Sequence, residues 1–386
     1  MKKKLISISL SENEFVIEDN CGGIDKEEVY ERVFRFGKPY EEHAKTIGIY
    51  GIGLKRSIFK LGKNILIESD DGTNCYSIPI KEDWIDNEDD WNLTFDKEEG
   101  SSGNPFTRVT ITNLYPNIAD ELKTIELENK LKNRIRDTYS IFMEERVTIE
   151  VNDEAVDYYE FEFLCEEGKF APFHETHQVG DVEVEIFAGY SPGGRGGTSS
   201  GWYVFCNDRL IISQDKSDRT GWGYGDRNYH YPEDDWFLGL VFFRSDNPMS
   251  LPWKTTKDNI QYDSRVYRTA QIEMKSITKR LTDVIRKAGR TKDAAGETIG
   301  ISLFLDVPLI PRSDIKDEQK EIVPALKGKD GVVSINIPLM TNIQYAKKTE
   351  LVKKAKNKLG NPYMSNKAVG EKTFDYYLDM EEIEDE

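Results

Sequence analysis

Ile17-Glu18-Asp19-Asn20-Cys21-Gly22-Gly23-Ile24 and Ile47-Gly48-Ile49-Tyr50-Gly51-Ile52-Gly53-Leu54-Lys55 are the two stretches on which the reading of this chain turns. The first follows Phe15-Val16-Ile17, which reads as a strand after a turn at Asn13. The alternating Ile6, Ile8 and Leu10 read as the strand before it. A carboxylate at such a strand end, here Asp19, can accept the exocyclic amino group of adenine and orient a water onto the ring. Gly22 and Gly23 let the backbone approach a base with no Cβ in the way. Taken alone, the same residues also make a good turn. The second stretch aims backbone N–H groups at an anion where a helix is expected over Gly51 to Leu61. Lys55 adds a cation, and Lys38 and Lys45 lie in the preceding loop. The Walker A spacing is absent, and no strand leads in as a dinucleotide fold requires. By itself this stretch could equally be a glycine-rich helix start that serves packing.

Together, in this order and at this separation, the two stretches resemble the GHKL ATPases: the gyrase B, heat-shock chaperone, histidine kinase and MutL families. Ile17 to Ile24 looks like their adenine box, and Ile47 to Lys55 like their lid-closing box. Asn104-Pro105-Phe106-Thr107-Arg108-Val109 is similar to the strand whose threonine supports the adenine-binding Asp, with Phe106 where a Gly is usual. Phe205-Cys206-Asn207-Asp208-Arg209 looks like the Asn-x-Arg strand of the transducer domain in MutL and microrchidia proteins. Leu251-Pro252-Trp253-Lys254-Thr255-Thr256-Lys257-Asp258 is similar to the transducer loop that sends a lysine to the γ-phosphate. Lys257, just before the Asp, is the better candidate than Lys254.

The resemblance covers about residues 5 to 290 and implies an α+β protein: a GHKL α/β sandwich followed by a β-rich transducer. The implied domains are an ATP-binding domain over 1–120, a connecting helix over 121–145, a transducer over 146–290 and a mixed extension over 291–386. The implied nucleotide site is Asp19, Gly23, Ile24, Gly48, Tyr50, Gly51, Gly53, Leu54, Lys55 and Thr107, with Lys257 as the catalytic lysine. ATP is the implied cofactor. The family's general-base Glu and Mg²⁺-binding Asn sit on a helix ahead of the first strand; Glu12 and Asn13 are in a turn and do not match them. Mg²⁺ is therefore expected only where an upstream helix supplies its ligand, and one sheet face is expected to be partly uncovered. The expected function is an ATP-gated dimerising clamp on nucleic acid or a protein client, with weak or absent hydrolysis. A non-hydrolysing nucleotide sensor and a heat-shock-type chaperone ATPase remain open alternatives.

Composition narrows the field. The 386 residues carry 38% hydrophobic and 32% charged side chains, enough apolar material for a core. With 52 Lys+Arg against 70 Asp+Glu, the net charge of −18 disfavours non-specific nucleic-acid binding unless the cations are segregated. Lys347, Lys348, Lys353, Lys354, Lys356 and Lys358 form the one basic stretch; it could equally pair with the acidic C-terminal end. No apolar run is long enough for a membrane span, and the start lacks a signal-peptide core. Four dispersed cysteines point to a reduced, cytoplasmic protein. His174-Glu175-Thr176-His177 lacks the spacing of a zinc signature and is expected to be a surface turn, and no metal ligands are assigned. Gly-rich 191–201 reads as a hairpin loop, and the aromatics at 202, 222, 224, 229, 231 and 236 as core or interface. Acidic 81–104 reads as an exposed insertion, and Ala270, Met274, Ile277, Leu281 and Val284 as the buried face of a helix over 264–287.

Overall fold

The computed structural model describes residues 3–29, 47, 52–85, 94–192, 200–222, 235–292, 299, 304, 306–323, 326–328, 331–333, 347–359, 364 and 366–381. The chain divides into two compact units, Met1–Ile337 and Pro338–Glu386.

The first sheet contains β1 (Lys4–Leu10), β2 (Glu14–Asp19), β3 (Gly62–Asp70), β4 (Asn74–Ile80), β5 (Lys97–Gly100), β6 (Phe106–Leu114), β7 (Val147–Val151) and β8 (Glu154–Ala155). Their order is β5-β4-β3-β6-β2-β1-β7-β8. Three short or medium helices accompany it: α1 (Lys26–Glu28), α2 (Ile52–Leu61) and α3 (Glu82–Ile85). They are followed by α4 (Pro116–Leu122) and α5 (Ile125–Glu145). Alternation decides the faces. Ile17, Ile65, Ile67, Val109 and Ile111 pack with Ile58, Phe59 and Leu61 of α2. Ile8, Leu10, Ile149 and Val151 pack with Ile135 and Met143 of α5. Both helices therefore cover the same face. On the opposite face Arg108 lies between Glu18, at 2.6 Å, and Glu68, at 3.8 Å, all three partly exposed. That row is ionic rather than apolar, so the face tolerates water.

Two expectations change here. Val147–Val151 does not open the second domain: β7 pairs in parallel with β1, because Ile149 and Val151 complete the core under α5. Residues 81–104 are not merely an insertion, since they contribute α3 and the edge strand β5.

The second sheet contains β10 (Phe173–Val179), β11 (Val182–Tyr190), β12 (Gly201–Cys206), β13 (Arg209–Asp215) and β14 (Phe237–Arg244). Its order is β10-β11-β14-β12-β13. The short β9 (Glu162–Leu164) precedes it. Helix α6 (Arg265–Ala288), capped by the Ser264 hydroxyl accepting from the Tyr267 N–H, covers one face. Ala270, Met274, Ile277, Leu281 and Val284 are all buried against that face, as the periodicity predicts. The other face, with Phe187, Tyr203, Phe205, Leu240 and Phe242, packs against Ile141 of α5. A sheet covered on both faces explains why every residue of β12 is buried and apolar apart from its glycine. Trp202, Trp222 and Trp236 belong to this core; Tyr224, Tyr229, Tyr231 and most of the Gly-rich loop, including Arg195, lie outside the described residues.

Asn207 and Asp208 turn the chain between β12 and β13 with φ of 44° and 63°. The Asn207 side chain donates to the Ser245 carbonyl and accepts from the Ser245 N–H, both at 3.0 Å. Asp208, 4% exposed, pairs with Arg146 at 2.8 Å and Arg244 at 2.7 Å. Arg244 also reaches Glu185 at 2.5 Å.

The region after α6 is no simple extension. β15 (Leu309–Pro311) pairs with β9, and backbone bonds at His174–Gln319 and Ala171–Ile322 add the following residues to the edge at β10. Phe304, Ile310 and Ile315 enter the cores, and buried Arg312 pairs with Glu144 and Glu145 of α5. β16 (Leu326–Gly328) and β17 (Gly331–Val333) form a hairpin. The second unit holds α7 (Thr349–Lys358) and α8 (Asn366–Met380).

His174 is likewise not in a surface turn. It lies in β10, 5% exposed, stacked on Phe187 with ring centroids 4.2 Å apart. Its ring nitrogens meet the Asp317 carbonyl and the Glu185 carboxylate, each at 3.0 Å. Burial opposes its charge, but these acceptors outweigh burial and raise its pKa. Burial likewise opposes the charge of Glu185, but bonds from His174 and Arg244 hold it down to about 2.

Two outcomes follow from this network. Asp208→Ala leaves two arginines without their buried partner and is expected to cost about 3–5 kcal/mol in urea unfolding. The His174 contribution is present in full below the unfolded value of about 6.5 and is lost as pH rises through the raised folded value. Thermal melts and hydrogen exchange of residues 317–322 should therefore show weaker holding at pH 8 than at pH 6, a difference that His174→Gln removes.

Candidate functional site

One row of the first sheet carries four polar side chains. Asp19 of β2 is opposite Thr107 of β6, Thr107 is opposite Ser69 of β3, and Ser69 is opposite Tyr76 of β4. Paired residues in an antiparallel ladder point to one face, here the face that α2 and α5 cover. The row marks the end of β2, where the chain leaves the sheet as the Asp19–Ile24 loop.

The loop's shape follows from local chemistry. Asp19 Oδ1 accepts the Cys21 N–H at 2.8 Å, an Asx turn. Asn20 Oδ1 accepts the Leu5 N–H at 2.8 Å, tying the turn back to β1. Gly22 and Gly23 have φ of 144° and 76°. A Cβ on Gly23 would lie 1.9 Å from the Asp70 carbonyl oxygen, so the loop touches the β3–β4 turn backbone to backbone. The Ile24 N–H donates to Ser69 Oγ at 2.8 Å, and Tyr76 donates its hydroxyl to the Ile24 carbonyl at 2.5 Å. Space beside Gly22 and beside Gly53 is open.

Asp70 is buried under this contact. Its carboxylate accepts from both serine hydroxyls, Ser101 and Ser102, at 2.7 Å, and from the N–H groups of Ser102 at 2.7 Å and Gly72 at 2.9 Å. The Ser101 hydroxyl bond leads, the other donors add to it, and together they overcome burial and hold Asp70 down to about 2. Burial, then the neighbouring Asp19 charge, pushes the exposed Cys21 thiol up, so it is a poor nucleophile.

Of the expected nucleotide residues, the structure brings Asp19, Gly23, Ile24 and Thr107 together at this sheet end. Gly53, Leu54 and Lys55 lie in the first turn of α2, where Leu54 is 39% exposed and no acidic residue occurs. Gly48, Tyr50 and Gly51 lie outside the described residues. Ile47 packs against the core of the second sheet, while α2 begins at Ile52 on the first. Lys257 has φ of 55° and lies over the Trp253 ring at 5.5 Å. Its partial burial, with the Arg209 charge nearby, holds its amine below the usual range. Arg209 in turn donates to the Tyr139 hydroxyl at 2.6 Å, at the non-helical residue inside α5.

Ser69, Tyr76 and Asp70 are the residues that sequence reasoning missed. Asp70-Asp71-Gly72 reads as a hairpin turn, and it is one; only strand register reveals that its flanks face Asp19. Among the described residues no group of three or more His, Cys, Asp or Glu is placed to hold a metal ion. The open space beside Gly22, next to Asp19, leaves room for the adenine side of a nucleotide, whereas Gly23 is closed by the Asp70 carbonyl. A Mg²⁺ site has no such support among the described residues.

Gly23→Ala combines a disfavoured φ with a backbone clash. It should destabilise the chain by about 1 kcal/mol or more, read in urea unfolding, whereas Gly100→Ala, with open space around it, should not.

Residues 2–110 match the family model described as histidine kinase-, DNA gyrase B-, and HSP90-like ATPase. No curated protein matches the chain. The matched segment includes the four-residue row and the Asp19–Ile24 loop, and its similarity to that family supports ATP binding by this part of the chain.

Proposed function

We propose that this chain is an ATP-gated clamp that dimerises when nucleotide is bound and acts on nucleic acid or a protein client. The observation that carries the reading is the pairing of Asp19 with Thr107 at the end of the helix-covered face, beside the Cβ-free Gly22 and Gly23. Asp19 would accept the adenine amino group, and Thr107 would support it from the neighbouring strand. The phosphates would meet the backbone N–H groups at the start of α2, where the helix dipole favours negative charge. ATP supplies the phosphates that draw these groups together; the protein supplies their placement.

Closure has a physical route. Ile47 is seated on the second core and Ile52 opens α2 over the first sheet. The chain between them covers no more than about 18 Å. A γ-phosphate bound along that stretch would act on both cores at once, favouring one arrangement by differential binding. Lys257 lies over the Trp253 ring with the Arg209 charge nearby, and its reach to the third phosphate is part of this proposal. The lysines of α7, mostly exposed, are the surface proposed for a polyanionic client.

Calorimetry on the full chain tests the reading. ATP should bind, Asp19→Ala should weaken ATP and ADP alike by at least about tenfold, and Lys257→Ala should weaken ATP alone. Light scattering should show a mass increase with ATP and none with ADP. A wild-type chain that binds neither nucleotide would sink the reading.

A further inference from the structure

We propose that Ser69 and Tyr76 are positioning residues that hold the Asp19–Ile24 loop in its base-accepting shape and so set its affinity for the nucleoside part of ATP. The inference deepens the nucleotide reading and rests on it.

The argument starts from register. Ser69 and Tyr76 are cross-strand partners on β3 and β4, in the same row as Asp19 and Thr107. Each is buried, at 0% and 2% exposure, yet each spends its hydroxyl on one peptide unit of the loop. Ser69 Oγ accepts the Ile24 N–H and donates its hydroxyl to the Phe106 carbonyl at 3.1 Å. Phe106 directly precedes Thr107, so one hydroxyl links the loop to the strand that supports Asp19. Tyr76 takes the Ile24 carbonyl, and its ring is kept in place edge-to-face by Phe95 at 5.2 Å. Both polar groups of Ile24 are thus bonded, which ties the C-terminal end of the loop to β3 and β4.

The third contact is steric. Gly23 sits on the Asp70 carbonyl, and Asp70 is immobilised by Ser101, Ser102 and Gly72. The β3–β4 hairpin end is therefore a template on which the loop rests through two hydroxyls and one backbone contact. None of these groups needs to touch a nucleotide. Their effect is on where the Asp19 carboxylate and the Gly22–Gly23 backbone stand before a base arrives, which is preorganisation. Phosphates lie outside this contact set, so ATP and ADP should feel its loss equally.

The test uses the full chain with Tyr76→Phe and Ser69→Ala, Ser69→Thr as a variant that retains a hydroxyl, and Arg108→Ala on the opposite sheet face as control. Amide hydrogen exchange of residues 21–25 is followed without nucleotide, and ATP and ADP affinities are measured by calorimetry beside thermal melts. Exchange should speed up in Tyr76→Phe and Ser69→Ala, and both dissociation constants should rise in parallel by about fivefold to tenfold. Ser69→Thr should restore most of the loss, and Arg108→Ala should leave affinity unchanged. Unchanged exchange overturns the proposal. So does a lowered melting temperature with unchanged affinity, which assigns the hydroxyls to stability alone, and so does weakening of ATP without ADP. Faster exchange in a chain whose wild-type form binds neither nucleotide overturns the nucleotide reading and the affinity claim with it, and separates that failure from failure of the loop contacts.

Discussion

A buried carboxylate, Asp208, held between Arg146 and Arg244, is the constraint that joins the layers of the larger unit. Its position is forced by the tight turn after β12, and Asn207 stitches that turn to the end of β14. Charges this buried persist only when every partner is in place. From Arg244 the network runs through Glu185 and His174 to the Asp317 carbonyl, and Arg312 of the same returning segment closes on Glu144 and Glu145 of α5. The connecting helix, the second sheet and the returning strap are thus fixed by one set of charges.

Helix α5 is the element that packs into the cores of both sheets. Ile135 and Met143 face the first sheet, and Ile141 faces the second. Its non-helical residue, Tyr139, lies under the Arg209 guanidinium at 5.2 Å. A helix packed on both sides transmits displacement rather than absorbing it, because close-packed interiors deform in steps. The nucleotide loop, by contrast, rests on side-chain hydroxyls and one glycine contact. The larger unit therefore pairs a rigid junction with a binding loop whose shape depends on few groups.

Much of this was legible from residue patterns. The alternation in Ile6, Ile8 and Leu10 and the stripe from Ala270 to Val284 both correspond to elements found in place. The Asp19-to-Ile24 loop was recognisable because its glycines and carboxylate are adjacent in the chain. The position of β7, the role of residues 97–100 as an edge strand, the burial of His174 and the return of residues 304–323 were not legible. Each depends on pairing between residues far apart in sequence, and short segments carry no periodic signal of the partner they will meet.

Sequence alone determined the chemistry available: a carboxylate before two glycines, a glycine-rich approach to a helix, and a lysine in a loop after a β-rich region. Those are local properties, set by side-chain type and backbone freedom within a few residues. Tertiary structure decided which groups face one another. Only the register of β2, β6, β3 and β4 aligns Asp19 with Thr107, Ser69 and Tyr76, and only the turn at Asp70 brings a carbonyl against Gly23. A strand's register is fixed by burial of its whole face against neighbours, so the information that completes the site is spread across the sheet rather than contained in any one motif.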